Sequence, residues 1–144
     1  MIIPDVNLLL YAEIDAFSYH DAARSWWEDS LSGDVQVALP SVAIFGFLRI
    51  ATNRRVFKEP LSISDALGRV ECWLKRGNVI SLGPGPRHLD TAFQLMRELG
   101  TGGNLTTDVQ LEAYAIENQA ELCSNDLDFG RFAGLRWVNP LDSR

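Results

Sequence analysis

Short apolar runs alternate with longer stretches of helical spacing along this 144-residue chain. Ile2–Pro4 reads as a short buried strand that stops at Asp5. Residues 7–13, with Leu8, Leu9 and Tyr11, predict a short helix, and 16–31 a longer amphipathic one through Phe17, Ala23, Trp26 and Trp27. A second strand is expected over 35–39. Pro40-Ser41 then opens a helix carrying Phe45, Leu48 and Ile50 that stops near Asn53. Ser62 or Ser64 can cap a helix bearing Ala66, Leu67, Val70, Trp73 and Leu74, which Gly77 can end. Val79–Leu82 is a third strand, followed by the punctuation Gly83-Pro84-Gly85-Pro86. The stripe Ala92, Phe93, Met96, Leu99 makes 89–99 helical, and 100–104 a loop. Thr107 with Gln110 has the spacing of a capping box for a helix ending near Asn118. Strands over 121–124 and Arg136–Val138 close the chain.

Strands alternating with helices imply βα units, a largely parallel sheet and helices on both faces: a three-layer α/β/α domain. Sites in such sheets form beyond the carboxyl ends of the strands. Asp5 follows the first strand directly, Asp126 and Asp128 follow the fourth, and Asp108 lies in the first turn of a helix that starts at the same edge. Four carboxylates are therefore expected to meet at one rim.

Composition narrows the reading without redirecting it. A chain of 144 residues with 47% hydrophobic and 22% charged residues suits one globular domain, 1–144, with no repeat, linker or low-complexity tract. No apolar run approaches the roughly 20 residues of a membrane helix. The opening Met1-Ile2-Ile3-Pro4-Asp5 lacks the basic region of a signal peptide, so a cytoplasmic protein is expected. Cys72 and Cys123 form no C-x-x-C pair and fall within apolar patterns, which reads as buried free thiols. The net charge of −6 opposes unspecific binding to nucleic acid. Yet Arg49, Arg54, Arg55 and Lys58 place four of the 13 basic residues within ten positions, a strip able to hold RNA phosphates.

Each aspartate taken alone reads as a helix cap or turn residue. Together they read otherwise, because two carboxylates about 4 Å apart repel by roughly 4 kcal/mol at an effective dielectric near 20. Such a cluster needs protons or cations, and hard oxygen ligands select Mg²⁺ or Mn²⁺. His20 and His88 stand in unrelated positions and offer no zinc constellation. All-carboxylate sites suit phosphodiester hydrolysis. Neither a phosphate-binding G-x-x-x-x-G-K loop, a G-x-G-x-x-G fingerprint nor a G-x-S-x-G elbow is present.

With those residues in place, the chain resembles a PIN-domain ribonuclease of the VapC type, the toxin of a type II toxin–antitoxin pair. The resemblance runs from end to end: Pro4-Asp5-Val6-Asn7-Leu8-Leu9-Leu10-Tyr11-Ala12 opens it. Phe47-Leu48-Arg49-Ile50-Ala51-Thr52-Asn53 and Gly103-Asn104-Leu105-Thr106-Thr107-Asp108 follow, then Ser124-Asn125-Asp126-Leu127-Asp128-Phe129 and Gly134-Leu135-Arg136-Trp137-Val138-Asn139-Pro140-Leu141. It implies Asp5 and Asp108 as principal Mg²⁺ (or Mn²⁺) ligands, Asp126 completing the acidic set, and Asp128 outside the ligands or positioning water. Asn7 would orient Asp5 by a hydrogen bond. A VapB-type antitoxin and a homodimer are the implied partners.

One departure stands out. Many PIN nucleases carry a Glu directly before the Phe-Leu-Arg block, where this chain has Gly46. Glu112 is a candidate substitute, four residues after Asp108 and on the same helix face, although an exposed surface Glu is the expectation for that position. Trp26, Trp27 and Trp73 can stack bases, but at helical spacing they read as core or dimer interface. The rival function is a weakened PIN-like binding module that works through its antitoxin or operator complex. A phosphatase with Asp5 as acceptor lacks the paired Asp that chemistry needs.

Overall fold

The computed structural model describes residues 1–132 and 134–142, apart from the side chains of Asn104 and Arg131. Five strands, β1 (Ile2–Pro4), β2 (Val37–Pro40), β3 (Val79–Leu82), β4 (Glu121–Cys123) and β5 (Arg136–Val138), form one sheet in the order β3-β2-β1-β4-β5. Every pairing is parallel, with Ile2 beside Val37 and Glu121, and Cys123 beside Val138. Six helices accompany the sheet: α1 (Val6–Glu13), α2 (His20–Ser32), α3 (Ser41–Ala51), α4 (Ile63–Leu74), α5 (His88–Leu99) and α6 (Thr106–Glu117). The expected parallel α/β architecture is present, and β1, the central strand, delivers Asp5 to the middle of the carboxyl edge.

Three local expectations change. α2 begins at His20 rather than Ala16, because Phe17 is drawn onto Tyr11, with ring centroids 4.8 Å apart. His20 Nδ1 lies 2.8 Å from the Tyr11 carbonyl oxygen, which fixes the turn that precedes the helix. α4 is capped by Ser62, whose hydroxyl accepts from the Asp65 amide, and ends at Leu74, short of Gly77. The Thr107–Gln110 capping box does not form. α6 starts two residues earlier than that box requires, at Thr106 with Leu105 as its cap position, off a 3₁₀ turn over Gly103–Leu105, and Gln110 Nε2 donates to the Thr106 carbonyl oxygen.

The main core packs both faces of β1 and β2, with Trp27 and Trp73 edge to face at 5.5 Å and Phe47 on Trp73 at 4.9 Å. These two tryptophans are core, as their spacing suggests; burial of rings this large is a major stabilising contribution. The cysteines divide. Cys123 is buried, but Cys72 is exposed, since α4 turns Ala66, Val70 and Trp73 inward and leaves position 72 about 100° off that stripe. Among the described residues no helix is long and apolar enough to cross a membrane.

Candidate active site

Asp5 leaves β1 at its carboxyl end and caps α1. Its Oδ1 accepts from the Val6 amide at 2.7 Å, and its own amide donates to the Cys123 carbonyl oxygen at 2.8 Å. The capping role expected of an isolated aspartate is therefore real, and it uses only one of the two oxygens. Oδ2 accepts from Ser124 Oγ at 2.6 Å. The side chain is only 6% exposed. Burial above all, and also the charge of Asp126, push its carboxyl above the ordinary range, while the Ser124 and Val6 bonds pull the other way.

Ser124 is the residue that sequence reasoning missed. It is fully buried just past β4, and its hydroxyl joins three side-chain or loop groups. It donates to Asp5, accepts from the Asp126 amide at 3.0 Å, and accepts from Asn7 Nδ2 at 3.4 Å. One proton and two lone pairs are all a hydroxyl has, so its capacity is used up. Its signals in the chain were its place at the end of the expected fourth strand, two residues before an acid, and at the head of the block Ser124-Asn125-Asp126-Leu127-Asp128-Phe129. Asn7 does not bond to Asp5, contrary to expectation. It reaches Asp5 through Ser124, and its own Oδ1 is buried without a hydrogen-bond partner.

Asp126 opens a 3₁₀ turn over Leu127–Arg131 by accepting, at Oδ1, from the Asp128 amide at 2.9 Å. Asp108, in the first turn of α6, lines one recess together with Asp126, Asp128, Val109 and Phe129. Asp128 is the exposed member. The four aspartates thus form two adjoining groups that share Asp126: Asp5 through Ser124, and Asp108 with Asp128 around the recess. Among the described residues no three His, Cys, Asp or Glu side chains stand close enough to hold a metal ion between them as placed. The donor chemistry nonetheless fits a hard divalent cation. It consists of carboxylates, one of them penalised by burial when ionised, beside the buried, unpartnered amide oxygen of Asn7.

Packing explains the glycine in the middle block. A Cβ on Gly46 would lie 2.8 Å from Val6 Cγ2, so a side chain there would have to displace Val6. The isopropyl group next to Asp5 occupies the space. Glu112 is corrected as well: it is fully buried, not on a solvated face. α6 is covered by α3, α5 and β4, and Val109, Leu111, Ala113, Tyr114 and Ala115 are buried with it.

Arg49 is exposed in a groove between α3, α4 and the start of α6, lined by Phe45, Gly46 and Thr107 among others. Arg54 and Arg55 are exposed in the turn after α3, where Asn53 Oδ1 accepts from the Arg55 amide. Of the histidines, His20 is tied to Tyr11, and His88 is buried 3.4 Å from Glu117.

A parallel α/β sheet with buried and half-buried aspartates at its carboxyl edge is a layout that many hydrolases share, and comparison narrows it. The chain matches the PIN domain over residues 2–135. It is 54% identical over 141 residues to "Ribonuclease VapC33" of Mycobacterium tuberculosis, covering 98% of this chain and 99% of that protein. It is 40% identical over 144 residues to "Ribonuclease VapC43" of the same species, covering 100% and 98%. The chain belongs to the PIN-domain family, among its VapC members. Solved structures agree on the fold. VapBC2 from Rickettsia felis, bound to a DNA fragment from its promoter, superposes with a TM-score of 0.71 at 18% identity, covering 96% of this chain and 98% of that one. Mycobacterium tuberculosis VapC20, described as a sarcin-ricin loop cleaving toxin, gives 0.66 at 14% identity, covering 94% and 99%.

Proposed function

We propose that this chain is a single-domain, divalent-metal-dependent endoribonuclease, the toxin of a toxin–antitoxin pair. The observation that carries the proposal is the buried Asp5 carboxylate, joined through Ser124 to Asp126 at the carboxyl edge. Full-length identity to proteins named ribonucleases supports it. Mg²⁺ or Mn²⁺, when bound, would lower the pKa of an attacking water and offset charge on the phosphodiester.

The chain's own residues do the rest. Asp5 and Asp108 are the principal ligands, and Asp126 the third. Asp128, exposed at the rim, faces the substrate side and orients water. Asn7 acts from behind, through the Ser124 hydroxyl. Glu112 is an auxiliary carboxylate, a role supported by its full burial on the helix of Asp108. A Glu112→Gln variant with unchanged metal affinity and cleavage removes it from the site. Arg49, Arg54 and Arg55 offer exposed charge to RNA phosphates or to the partner. That partner is a VapB-type antitoxin, the toxin acts as a homodimer, and the pair works in the cytoplasm.

The decisive experiment expresses the chain without a partner and maps RNA 5′ ends after brief induction. Growth arrest with discrete new ends, both lost in Asp5→Ala, is the expected result. A wild type that neither arrests growth nor cleaves RNA with Mn²⁺ is instead a binding module. The tight contact at Gly46, where a side chain would collide with Val6, is the observation that favours that second reading.

A further inference from the structure

The acidic loop is short, irregular and polar, and something must hold it in one shape. Its start and its far end both touch the last strand or the residue directly after it. Ser124 donates its amide to the Val138 carbonyl oxygen at 3.0 Å, and its own carbonyl oxygen accepts from Trp137 Nε1 at 3.1 Å. Both backbone groups of the residue that joins Asp5 to Asp126 are therefore tied to β5. Further along, Gly130 sits against the other side of the same indole. A Cβ there would lie 3.2 Å from Trp137 Cζ3. One tryptophan thus grips the loop at its start and at its end, with Asp126 and Asp128 between. Asn139, 9% exposed and directly after β5, holds the residue that follows Ser124: its Nδ2 donates to Asn125 Oδ1 at 3.1 Å. Asn139 is itself fixed, donating to Asp142 Oδ1 and accepting from the Leu141 amide, both at 3.1 Å.

We propose that Trp137 and Asn139 are positioning residues for the nuclease reaction, templating the loop that presents Asp126 toward Asp5 and Asp128 toward the recess of Asp108. The inference rests on the nuclease reading above and deepens it. A half-buried indole N–H needs an acceptor, and Trp137 takes the loop's first carbonyl oxygen, so the bond that satisfies the tryptophan also fixes the loop. An asparagine kept only to make the closing turn would need its Oδ1, which accepts from Leu141, but not its bond to Asn125. Side chains that brace a site from behind matter because a constellation loosened by fractions of an ångström loses much of its metal affinity and rate.

Two substitutions in the brace test these roles. Trp137→Phe deletes the N–H to Ser124 together with the outer ring atoms that lie against Gly130. Asn125→Ala removes the acceptor of Asn139 Nδ2 in the loop and leaves the bonds of Asn139 to Asp142 and Leu141 in place. Trp26→Phe, a half-buried tryptophan on α2, is the control. Mn²⁺ affinity by calorimetry, kcat and KM on a cleavable RNA, and melting temperature in EDTA are measured for each. In the two loop variants Mn²⁺ affinity should fall by about tenfold or more, as when a metal ligand's supporting partner is lost. kcat should fall with it while KM for RNA holds, and melting should shift no more than in the control. Unchanged Mn²⁺ affinity and kcat in both variants overturns the inference, as do equal losses in Trp26→Phe. A wild type that binds no Mn²⁺ and cleaves nothing fails at an earlier step, refuting the nuclease reading and this inference with it.

Discussion

Ser124 gives its only hydroxyl proton to Asp5 across 2.6 Å, although the two residues lie 119 positions apart in the chain. The bond closes the gap between β1 and β4 at the edge where the acids gather. It also accounts for how a carboxylate with 6% exposure keeps both oxygens satisfied: Val6 serves one and Ser124 the other. Removing Ser124's hydroxyl leaves Asp5 Oδ2 and the Asp126 amide short of a partner at once. Ser124→Ala should therefore lose about 1–3 kcal/mol of stability in urea unfolding, the ordinary cost of stranding a buried polar group. Ser124→Thr, which restores the hydroxyl, should recover most of it. A fully stable alanine variant would show that water replaces the hydroxyl at no cost.

Asp5 should make the metal-free protein less stable as pH rises. Its carboxyl is raised above the usual 3.8, mainly by burial, so the folded state holds the proton more tightly than the unfolded chain does. The stability this contributes is fully present below the unfolded value and is lost as pH rises from there through the raised folded value. In EDTA, the stability of wild type relative to Asp5→Asn should fall across that window and then level off. Adding Mn²⁺ at neutral pH should reverse the ranking, since only the carboxylate is a strong ligand. A difference that does not vary with pH would contradict the assigned shift.

At Gly46 the expected result is steric. With a Cβ placed 2.8 Å from Val6 Cγ2, Gly46→Ala must displace Val6 and should cost roughly 1–3 kcal/mol, as overpacking usually does. Val6→Ala should relieve much of that cost in the double variant, giving a clear non-additive cycle. Gly46→Glu should unfold or aggregate rather than gain metal affinity. Tighter Mn²⁺ binding by that variant would mean that the helices part more readily than their contact implies.

The two thiols should behave differently. Cys72 is exposed, whereas burial first, and the charge of Glu121 second, push the Cys123 thiol up to about 12. One thiol should react with a disulfide reagent at pH 8 in the native protein, and two after denaturation.

Replacing both Arg54 and Arg55 by Glu should weaken RNA binding and flatten its dependence on salt, because fewer counterions are released. Melting should hardly change, as both side chains are exposed. Unaltered RNA affinity would leave these arginines to the antitoxin.

Much of this protein is written locally. The apolar runs at Ile2–Pro4 and Val79–Leu82 and the Ser62 cap depend on neighbours a few positions away and appear where expected. The helix stripes are buried only in part: Ala66, Val70, Trp73 and Ala92 face inward, but Phe45, Leu67, Leu74 and Phe93 are exposed. The carboxyl-edge rule also put the acids on the correct side of the sheet, since strand direction alone settles which end a following residue occupies. Where those patterns failed, a competing contact had intervened. Phe17 left the α2 pattern for Tyr11, and Thr106 took the helix start from Thr107 by leaning on the turn before it.

The sequence by itself determined the layered parallel fold, the family and the identity of the acids, because periodicity, strand direction and linear motifs are properties of neighbouring residues. Only the tertiary structure decided how those acids are joined. It brought Ser124 under Asp5, buried Glu112 on a helix enclosed by three elements, filled the place of the absent glutamate with Val6, and set Trp137 behind the loop. Each of these depends on two segments far apart in the chain meeting at a particular distance. Such a distance is set by the packing of the whole core, which no local pattern encodes.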